Sequence, residues 1–399
     1  MAQYFLVFNC GSSSIKFSLY DHNTLLQKLV GLVDKINTKE TTLSISINGQ
    51  TKTETSSLNY HQAFAKIIGF LKQQDYFSQI IAIGHRVVHG GHHFDRAVIV
   101  IDDVIAKIRA LIPLAPLHNP ANLEGIEFCQ QHFESTPQIA VFDTAFHQSI
   151  PEEIYRYAIP NTLYEDLHIR KYGFHGISHQ YIAQAAAQHL SLTQGNFICA
   201  HLGNGCSITA IKNGKSINTS MGFTPLDGLV MGTRSGTIDP GIFSYLQQML
   251  NMDINEINQL LNKQSGLLGL CGLSDMREIE YLIDNPDIEL KEVKQARLAL
   301  DIFSHRVAGF IASYLMYFDQ LDGLIFTAGI GQNSSLVRQQ IINRLKFSGF
   351  AIDTARNENA AQAIEVHAKG SKRIMVLKTD EERMIAQSCQ ILLSVKDQA

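Results

Sequence analysis

The sequence predicts an α/β protein of two related domains, and three segments carry this prediction. Two of them, residues 5–20 and 197–211, read as an apolar strand, a turn of Asn, Gly and Ser, and a second strand. The third is a strand at 324–327, followed by a Gly-x-Gly turn at 328–333 and a helix from Ser334. Glycine lets a ligand approach backbone amides closely, so each turn is a candidate anion cradle. Ordinary hairpins are the alternative, but a cradle in each half favours a polyphosphate gripped by two domains.

Length and composition bound the class of protein. The 399 residues suit two or three domains, and 45% apolar content with a net charge of −4 is typical of a globular protein. The absence of a basic stretch argues against nucleic-acid binding, and no apolar run is long enough to span a membrane. The N-terminal apolar run is strand length and lacks a positive flank, so we expect no signal peptide. Six scattered cysteines without a CxxC pair fit reduced thiols and a cytoplasmic location.

The histidines between His85 and His93 raise the question of a metal site. Zinc ligands at such spacing usually lie on a helix or rigid turn with thiolate partners. Here His85 and His89 follow an apolar run that reads as a strand, and Gly90-Gly91 breaks any helix. We therefore prefer a loop that presents Arg86 to a substrate.

In the first 147 residues, strands alternate with helices. The elements predicted after the first hairpin are a strand at 41–47, a helix near 61–72, a strand at 79–85, helices at 102–111 and 122–132, and a strand at 138–142. The last strand ends at Asp143, and ligands of open α/β sheets lie beyond the carboxyl ends of strands. Asp143 is thus a candidate for chemistry, with a helix N-cap as the alternative.

The second half repeats the scheme after a proline-bounded polar segment, 149–160, which we interpret as a hinge or linker. A helix is predicted at about 293–318, where apolar residues recur every three or four positions. A coiled coil is the alternative, but fewer than four heptads beside a strand favour a core helix. The apolar spacing of 384–395 predicts a C-terminal helix that packs back onto the first domain.

With these segments in view, the chain resembles the acetate kinase family, within the superfamily of sugar kinases, heat-shock chaperone ATPases and actin. The resemblance covers nearly the whole length. Its motifs are Phe8-Asn9-Cys10-Gly11-Ser12-Ser13-Ser14-Ile15-Lys16 and the segments 84–91, 116–120, 142–147, 172–179, 201–205, 231–237, 275–277, 329–333 and 379–382. Two positions depart from the family pattern: Gln332 stands where Glu is usual, and Ala328 where Gly is common.

The resemblance implies two duplicated actin-like ATPase domains of the ribonuclease H-like type, with an interdomain nucleotide cleft. The expected bounds are 1–147 plus 382–399 for the first domain and 148–381 for the second. The second domain would hold the nucleotide and form the interface of a homodimer. Nucleotide binding is expected to close the cleft.

The chemistry of a carboxylate acceptor explains why arginines are needed. Acetate is already ionised at pH 7, so it requires no general base to attack a γ-phosphate. The obstacle is the approach of an anion to a polyanion, which positioning and charge neutralisation overcome. Arginine pairs bidentately with carboxylate or phosphoryl oxygens, and the resemblance assigns Arg86 and Arg234 to the site.

The resemblance gives four residues catalytic roles. Arg86 is expected to hold the substrate carboxylate, and Arg234 to act with His175 on the equatorial oxygens of the transferred phosphoryl group. Asp143 is expected to orient the acetyl group or the metal, either as a metal ligand or as an acid–base residue. Judged from the residues alone, surface salt bridges would explain the arginines and a structural role would explain His175.

Substrate, metal and nucleotide sites are implied in the same way. The acyl pocket is expected at Val88, Leu117, Phe174 and Pro225. Mg²⁺, with Mn²⁺ as an alternative ion, is expected at Asn9 and Glu381, directly or through water. ATP or ADP, as co-substrate, is expected to contact Ser12, Ser14, Lys16, His201, Leu202, Gly203, Asn204, Gly205, Asp275, Met276, Arg277, Gly329, Ile330, Gly331, Gln332 and Asn333.

The expected function is therefore reversible, Mg-dependent transfer of the ATP γ-phosphoryl group to acetate by in-line displacement, giving acetyl phosphate and ADP. A propionate kinase of the same family is the nearest alternative, because one methylene changes pocket binding by only about 1–3 kcal/mol. A non-catalytic actin-like ATP-binding module is the alternative from another class. No nucleic-acid or membrane partner is expected.

Overall fold

The computed structural model describes residues 2–285 and 290–396. The chain forms two compact units, unit 1 (Met1–Gln148 and Asp380–Ala399) and unit 2 (Ser149–Thr379). The domain bounds expected from the sequence differ from this division by one residue near 148 and by two near 380.

Unit 1 is built on a sheet of eight strands. They are β1 (Tyr4–Cys10), β2 (Ile15–Asp21), β3 (Gln27–Asp34), β4 (Thr41–Ile47), β5 (Gln50–Ser56), β6 (Ile80–Val87), β7 (Val98–Ile99) and β8 (Gln138–Phe142), in the order β5-β4-β3-β2-β1-β6-β8-β7. The predicted hairpin is the antiparallel pair β1–β2, and β1, β6 and β8 run parallel. Residues at the carboxyl ends of these three strands are therefore neighbours at one edge of the sheet.

Both edge strands of this sheet are poor partners for further pairing. β5 contributes only polar side chains, Gln-Thr-Lys-Thr-Glu-Thr-Ser, and all but the last are exposed. β7, at the opposite edge, has two residues.

Helices cover the sheet of unit 1. They are α1 (Tyr60–Gln73), α2 (Asp102–Ala110), α3 (Asn119–His132) and the C-terminal helix (Glu381–Lys396). Helices α1 and α3 share a core with β1–β4 and β6, whereas the C-terminal helix packs on β1 and β6. Helix α3 begins three residues before its predicted start at 122, because Pro120 lies in the first turn, where proline is favoured.

Unit 2 contains a five-stranded sheet. Its strands are β9 (Phe197–Leu202), β10 (Cys206–Lys212), β11 (Lys215–Thr219), β12 (Gly323–Thr327) and β13 (Ile374–Val376), in the order β11-β10-β9-β12-β13. The second predicted hairpin is the antiparallel pair β9–β10, and β9, β12 and β13 run parallel. The hairpin turn at 203–205 and the segment after β12 consequently meet at one edge of this sheet.

The helices of unit 2 are α4 (Glu152–Tyr155), α5 (Asn161–Leu167), α6 (Gly176–His189), α7 (Gly241–Leu250), α8 (Ile254–Lys263), α9 (Gly266–Cys271), α10 (Met276–Asp284), α11 (Leu290–Tyr314), α12 (Ala328–Asn333), α13 (Ser335–Arg344) and α14 (Thr354–Glu358). Helix α11 buries Leu300, Phe303 and Val307, so the predicted helix is a core helix rather than a coiled coil. The predicted Gly-x-Gly turn is instead the short helix α12.

Two further features concern the chain as a whole. All six cysteines are free thiols, and five are buried. Among the helices of the described residues, none has the length and apolar content needed to cross a membrane.

Candidate active site

In unit 1, four of the predicted site residues meet around one guanidinium. Arg86 lies near the end of β6, Asp143 directly follows β8, and Asn9 is near the end of β1. Arg86 pairs with Asp143 through Nε (3.2 Å to Oδ1) and through Nη2 to Oδ2, and its Nη1 donates to Asn9 Oδ1 at 3.1 Å. Glu381 Oε2 lies 4.0 Å from Arg86 Nε. We call these four residues the Arg86 cluster.

Burial shapes the electrostatics of the Arg86 cluster. The side chain of Asp143 is 2% exposed and that of Arg86 is 19% exposed, so their bidentate pair is largely shielded from water. Burial raises the pKa of Glu381, although Arg86 acts in the opposite direction. The cluster thus gathers one cation and three oxygen-bearing side chains in a site that is largely shielded from water.

Lys16, expected to contact phosphate, has a partner that the sequence did not indicate. Its Nζ lies 2.6 Å from Glu382 Oε1, and the lysine side chain remains half-exposed. Asp380 accepts a hydrogen bond from Tyr20 Oη at 3.2 Å. The two carboxylates that flank Glu381 are therefore each fixed to the β2 strand.

The remaining unit 1 candidates lie in two places. Val88 is only 4% exposed, and its backbone N–H donates to Asn122 Oδ1 at 3.0 Å. Leu117 is 58% exposed and lines a cavity of about 540 Å³ with Ser12. Val88 is not among the residues that line this cavity. Ser14 accepts the Gly11 N–H through its backbone carbonyl, at 2.8 Å, which closes the β1–β2 turn.

In unit 2, His175 lies against the glycine turn of the second hairpin. It precedes α6 with a φ of +57°, and Nδ1 is 2.9 Å from Ser207 Oγ. A Cβ added to Gly205 would lie 3.3 Å from the His175 ring and 4.0 Å from Arg234 Nη1. Because Gly205 has no side chain, His175 and Arg234 can lie close to the turn.

A hydroxyl network fixes this histidine. Ser207 Oγ is also 2.7 Å from His179 Nε2, so the single hydroxyl proton points to one ring and the other ring must donate. The ring of His175 stacks on that of His201 with centroids 4.3 Å apart, and His201 Nδ1 is 2.8 Å from Ser178 Oγ. The predicted nucleotide contact His201 thus supports His175, and it is buried with Leu202 in β9.

Among the described residues, Arg234 is held by a backbone carbonyl rather than by a carboxylate. Its Nη1 donates to the Pro225 carbonyl at 3.1 Å, and burial lowers its pKa. Pro225 and the buried Phe174 are the acyl-pocket candidates in this unit. Gly232, in the same loop, lets its backbone approach Asn204, since an added Cβ would overlap the Asn204 side chain. The loop therefore depends on glycine at that position.

Most of the predicted nucleotide contacts of unit 2 line one cavity of about 420 Å³, which we call the nucleotide cavity. Its walls are Gly203, Asn204, Ser274, Asp275, Met276, Arg277, Glu280, Gly329, Ile330, Asn333 and Ser334. Asp275 caps α10 and pairs with Arg277 at 2.6 Å, which lowers the pKa of Asp275. Gly331 and Gln332 do not line the cavity. Gln332 Nε2 donates to the Leu377 carbonyl at 3.1 Å, a bond that glutamate would not make.

One residue that supports the nucleotide cavity was missed. Arg338 is 1% exposed, and its Nη1 donates to the carbonyls of Gly331 and Gln332 at 2.9 and 2.8 Å. Burial lowers its pKa to about 10. It holds the end of α12, which begins at Ala328 with a φ of +63°, a conformation that glycine adopts at lower cost. A single arginine within a polar helix gives no sequence signal for such a role.

Within residues 2–285 and 290–396, no group of three or more His, Cys, Asp or Glu side chains is arranged to hold a metal ion. His85 lies in β6, where its Nε2 is 2.6 Å from Gln138 Oε1. The oxygen atoms of the Arg86 cluster include an amide oxygen, and amide and carboxylate oxygens are ligands suited to Mg²⁺ bound with phosphate.

Comparison with known proteins identifies the family of the chain. The profile of the acetokinase family matches residues 4–387. Acetate kinases of Francisella tularensis subsp. holarctica and Caldicellulosiruptor saccharolyticus are 50% and 44% identical, each over 97% of this chain and 99% of their own.

Solved structures give the same result. A propionate kinase from Francisella tularensis subsp. tularensis is 50% identical with a TM-score of 0.93, covering 97% of this chain and 98% of its own. Porphyromonas gingivalis acetate kinase is 37% identical with a TM-score of 0.89, covering 98% and 100%. These matches confirm the predicted fold class and family: the chain belongs to the acetokinase family.

Proposed function

We propose that the protein transfers the γ-phosphoryl group of ATP to acetate. A carboxylate oxygen of acetate forms the new bond to phosphorus while the bond to the β–γ bridging oxygen breaks, which gives acetyl phosphate and ADP. The observation that carries the proposal is the approach of His175 and Arg234 to the Gly205 turn, in a unit that also contains the nucleotide cavity. The family names of the relatives support the same reaction.

Arg86 is proposed to bind the acetate carboxylate. A guanidinium has five N–H donors, of which Asp143 engages two and Asn9 engages one. Two donors are left for a substrate carboxylate. Asp143 would then act by orienting Arg86, so that the guanidinium presents its donors in a fixed direction when acetate arrives.

His175 and Arg234 are proposed to stabilise charge on the transferred phosphoryl group. In the described chain no carboxylate pairs with the Arg234 guanidinium, whose Nη1 donates to the Pro225 carbonyl. If Ser207 donates to His175 Nδ1, then Nε2 carries the ring proton and is a hydrogen-bond donor. Donors held in place before the reaction stabilise developing charge without reorganisation.

ATP is proposed as the co-substrate, with Mg²⁺ held by Asn9 and Glu381. Both side chains offer oxygen atoms in the Arg86 cluster, which fits a hard cation. When bound, the ion would neutralise phosphate charge. A cytoplasmic location is proposed on the basis of the six free thiols.

The test is acetate-dependent formation of ADP, with acetyl phosphate trapped as its hydroxamate. Acetate, propionate and butyrate are compared, since a 50%-identical structure is a propionate kinase. We expect the highest kcat/KM with acetate. Binding of ATP without carboxylate-dependent turnover would instead support the non-catalytic module.

We further propose a homodimer formed through α7. This helix has no buried residue, and Tyr245, Met249 and Leu250 are exposed. Helix α11, whose region was the sequence-based candidate, exposes fewer large apolar side chains, Leu290 and Leu298. A dense exposed apolar patch is typical of a protein interface.

The dimer proposal is tested by light scattering of the full chain after size-exclusion chromatography. Met249→Glu should shift the mass toward the monomer, because the charge would have to be buried. Leu26→Glu, at an exposed apolar site in unit 1, is the matched control. A wild-type protein that is monomeric at micromolar concentration would contradict the proposal.

A further inference from the structure

A carboxylate with no part in phosphoryl transfer lies in the wall of the nucleotide cavity. It belongs to Glu280 on α10. Its Oε1 accepts a hydrogen bond from Ser334 Oγ, and Ser334 Oγ in turn accepts the Val337 N–H at 2.9 Å. Ser334 is 5% exposed and caps α13, so one carboxylate oxygen is fixed by a helix terminus. Within the part of the chain that the structure describes, no group donates a hydrogen bond to Oε2.

The position of Glu280 suits contact with a base rather than with ribose or phosphate. Gly203 and Asn204 of the glycine turn line one part of the cavity, and Asp275 lies at the start of α10. Glu280 is five residues further along, about 7 Å along the helix axis. This distance is comparable to the length by which a purine ring extends from its ribose. Met276 and Ile330 supply apolar surface for the base to lie against.

The hydrogen-bonding chemistry of a carboxylate discriminates between purines. Adenine carries an amino group at C6, which donates, whereas guanine and hypoxanthine carry an oxygen there, which only accepts. An ionised carboxylate accepts and cannot donate. To bind guanine through its N1–H and N2 amino group, a carboxylate uses both of its oxygens, and at Glu280 the hydrogen bond from Ser334 takes one lone pair of Oε1, which weakens that arrangement.

We propose that Glu280, held by Ser334, determines the base specificity of the enzyme and selects a 6-aminopurine nucleotide. This inference rests on the proposed use of a nucleoside triphosphate as phosphoryl donor. Glu280 Oε2 would accept one N–H of the 6-amino group. Burial raises the pKa of Glu280, while the Ser334 hydroxyl and Arg338 favour its ionised form.

The experiment is a thermodynamic cycle in which the Glu280 carboxylate and the 6-amino group of the base are removed separately and together. Wild type and Glu280→Ala are compared with ATP and with purine riboside 5′-triphosphate, which has hydrogen in place of the 6-amino group. We expect wild type to prefer ATP about 10-fold or more in kcat/KM, mainly through KM, because the contact is made equally in ground and transition states. In Glu280→Ala the preference should fall to within about 3-fold of unity.

Two further variants keep the test independent of folding. Glu280→Gln preserves the volume and the acceptor for Ser334, and its amide N–H should raise kcat/KM for inosine triphosphate relative to ATP. Glu278→Gln, on an exposed position of the same helix, should change neither ratio. An equal preference for ATP over the 6-hydrogen analogue in wild type and Glu280→Ala would overturn the proposal and leave Glu280 a structural role.

Failure of the proposed function gives a different result. If wild type shows no acetate-dependent turnover, the phosphotransferase proposal falls. The same cycle is then measured by calorimetry as the binding of ADP and purine riboside 5′-diphosphate. A wild-type preference for ADP that disappears in Glu280→Ala would still support the base contact, and a preference that persists would refute it.

Discussion

Among single side chains, Arg234 and Arg86 differ in what their removal would leave behind. Arg234 donates to the Pro225 carbonyl, which is neutral, so its loss would leave no buried charge without a partner. Arg86 neutralises the buried Asp143 carboxylate, so its loss would leave that charge without its partner. The two arginines therefore allow the catalytic and structural effects of charge removal to be separated.

Arg234→Ala should lower kcat by about 100- to 1,000-fold, corresponding to about 3–4 kcal/mol of lost transition-state stabilisation. The melting temperature should stay close to that of wild type. Steady-state kinetics and thermal unfolding measure both quantities, with Arg297→Ala, exposed on α11, as the control. A folded variant that keeps more than a tenth of the wild-type kcat would remove Arg234 from the proposed mechanism.

Arg86→Ala should lose stability as well as activity. The cause is the ion pair of Arg86 with the buried Asp143 carboxylate. Breaking a buried pair costs about 3–5 kcal/mol, because the remaining charge is uncompensated. Adding Asp143→Asn should restore much of the melting temperature without restoring activity. Equal melting temperatures of wild type and Arg86→Ala would contradict this account.

Val88→Ala tests the acyl pocket. If Val88 contacts the methyl group of acetate, the variant should shift relative kcat/KM toward propionate by about 10- to 200-fold, the range of one methylene. Because Val88 is only 4% exposed, the truncation should also lower the free energy of unfolding by about 1–3 kcal/mol. Kinetics with acetate, propionate and butyrate decide the matter, since an unchanged ratio would make Val88 a packing residue only.

Between elements, the contact of β6 with the C-terminal helix depends on one glycine. A Cβ at Gly84 would lie 2.5 Å from Ile385 Cγ2 and 2.9 Å from Cys389 Sγ. Gly84→Ala should therefore push the C-terminal helix away from the sheet and lower the melting temperature.

Gly69→Ala is the matched control for Gly84→Ala. Gly69 lies within α1, and an added Cβ there meets nothing within 4 Å. Alanine is the better helix former, so this variant should gain about 0.5–1 kcal/mol. If both variants behaved alike in thermal unfolding, close packing at Gly84 would not be the cause.

Elements set by local patterns could be predicted from the sequence, whereas contacts between distant segments could not. The two glycine hairpins and α11 follow from apolar periodicity and turn residues within the segment itself. Arg86 and Asp143 pair although they are 57 positions apart in the sequence. The pairing of Lys16 with Glu382 joins the two sequence segments that make up unit 1. Such contacts depend on strand order, which local patterns do not encode.

The family resemblance supplied most of the candidate site, and the structure refined it. It indicated Asp275 and Asn333, which line the nucleotide cavity, but also Gln332, which bonds to the Leu377 carbonyl. Arg338 and Glu280 gave no signal because a charged residue in a helix is typical of a solvated face. Only the packing of α10 and α13 reveals that these charges face inward.

For the molecule as a whole, buried histidines should make stability depend on pH. Burial lowers the pKa of His85 and of His89 to about 4, whereas the unfolded value is about 6.5. Above pH 6.5 both histidines are neutral in the folded and in the unfolded protein, so their contribution to the free energy of unfolding does not change with pH. Between pH 6.5 and 4 only the unfolded state takes up the proton, so stability falls by up to about 1.4 kcal/mol per pH unit for each histidine.

The measurement is the fall in melting temperature between pH 7 and pH 5 in wild type and His85→Gln. The variant lacks one of the titrating groups, so its fall should be smaller than that of wild type. An identical fall in both proteins would show that His85 does not couple to unfolding.

The polar composition of β5 and the brevity of β7 bear on how the protein behaves at high concentration. Unpaired backbone groups along a sheet edge can recruit a strand from another molecule and so begin aggregation. In β5, Lys52 and Glu54 place charges along that edge, and a partner strand would have to lie beside them. β7 offers only two residues for pairing. The eight-stranded sheet thus ends in strands that discourage addition of a ninth, which protects a crowded cell from fibre-like association of the enzyme.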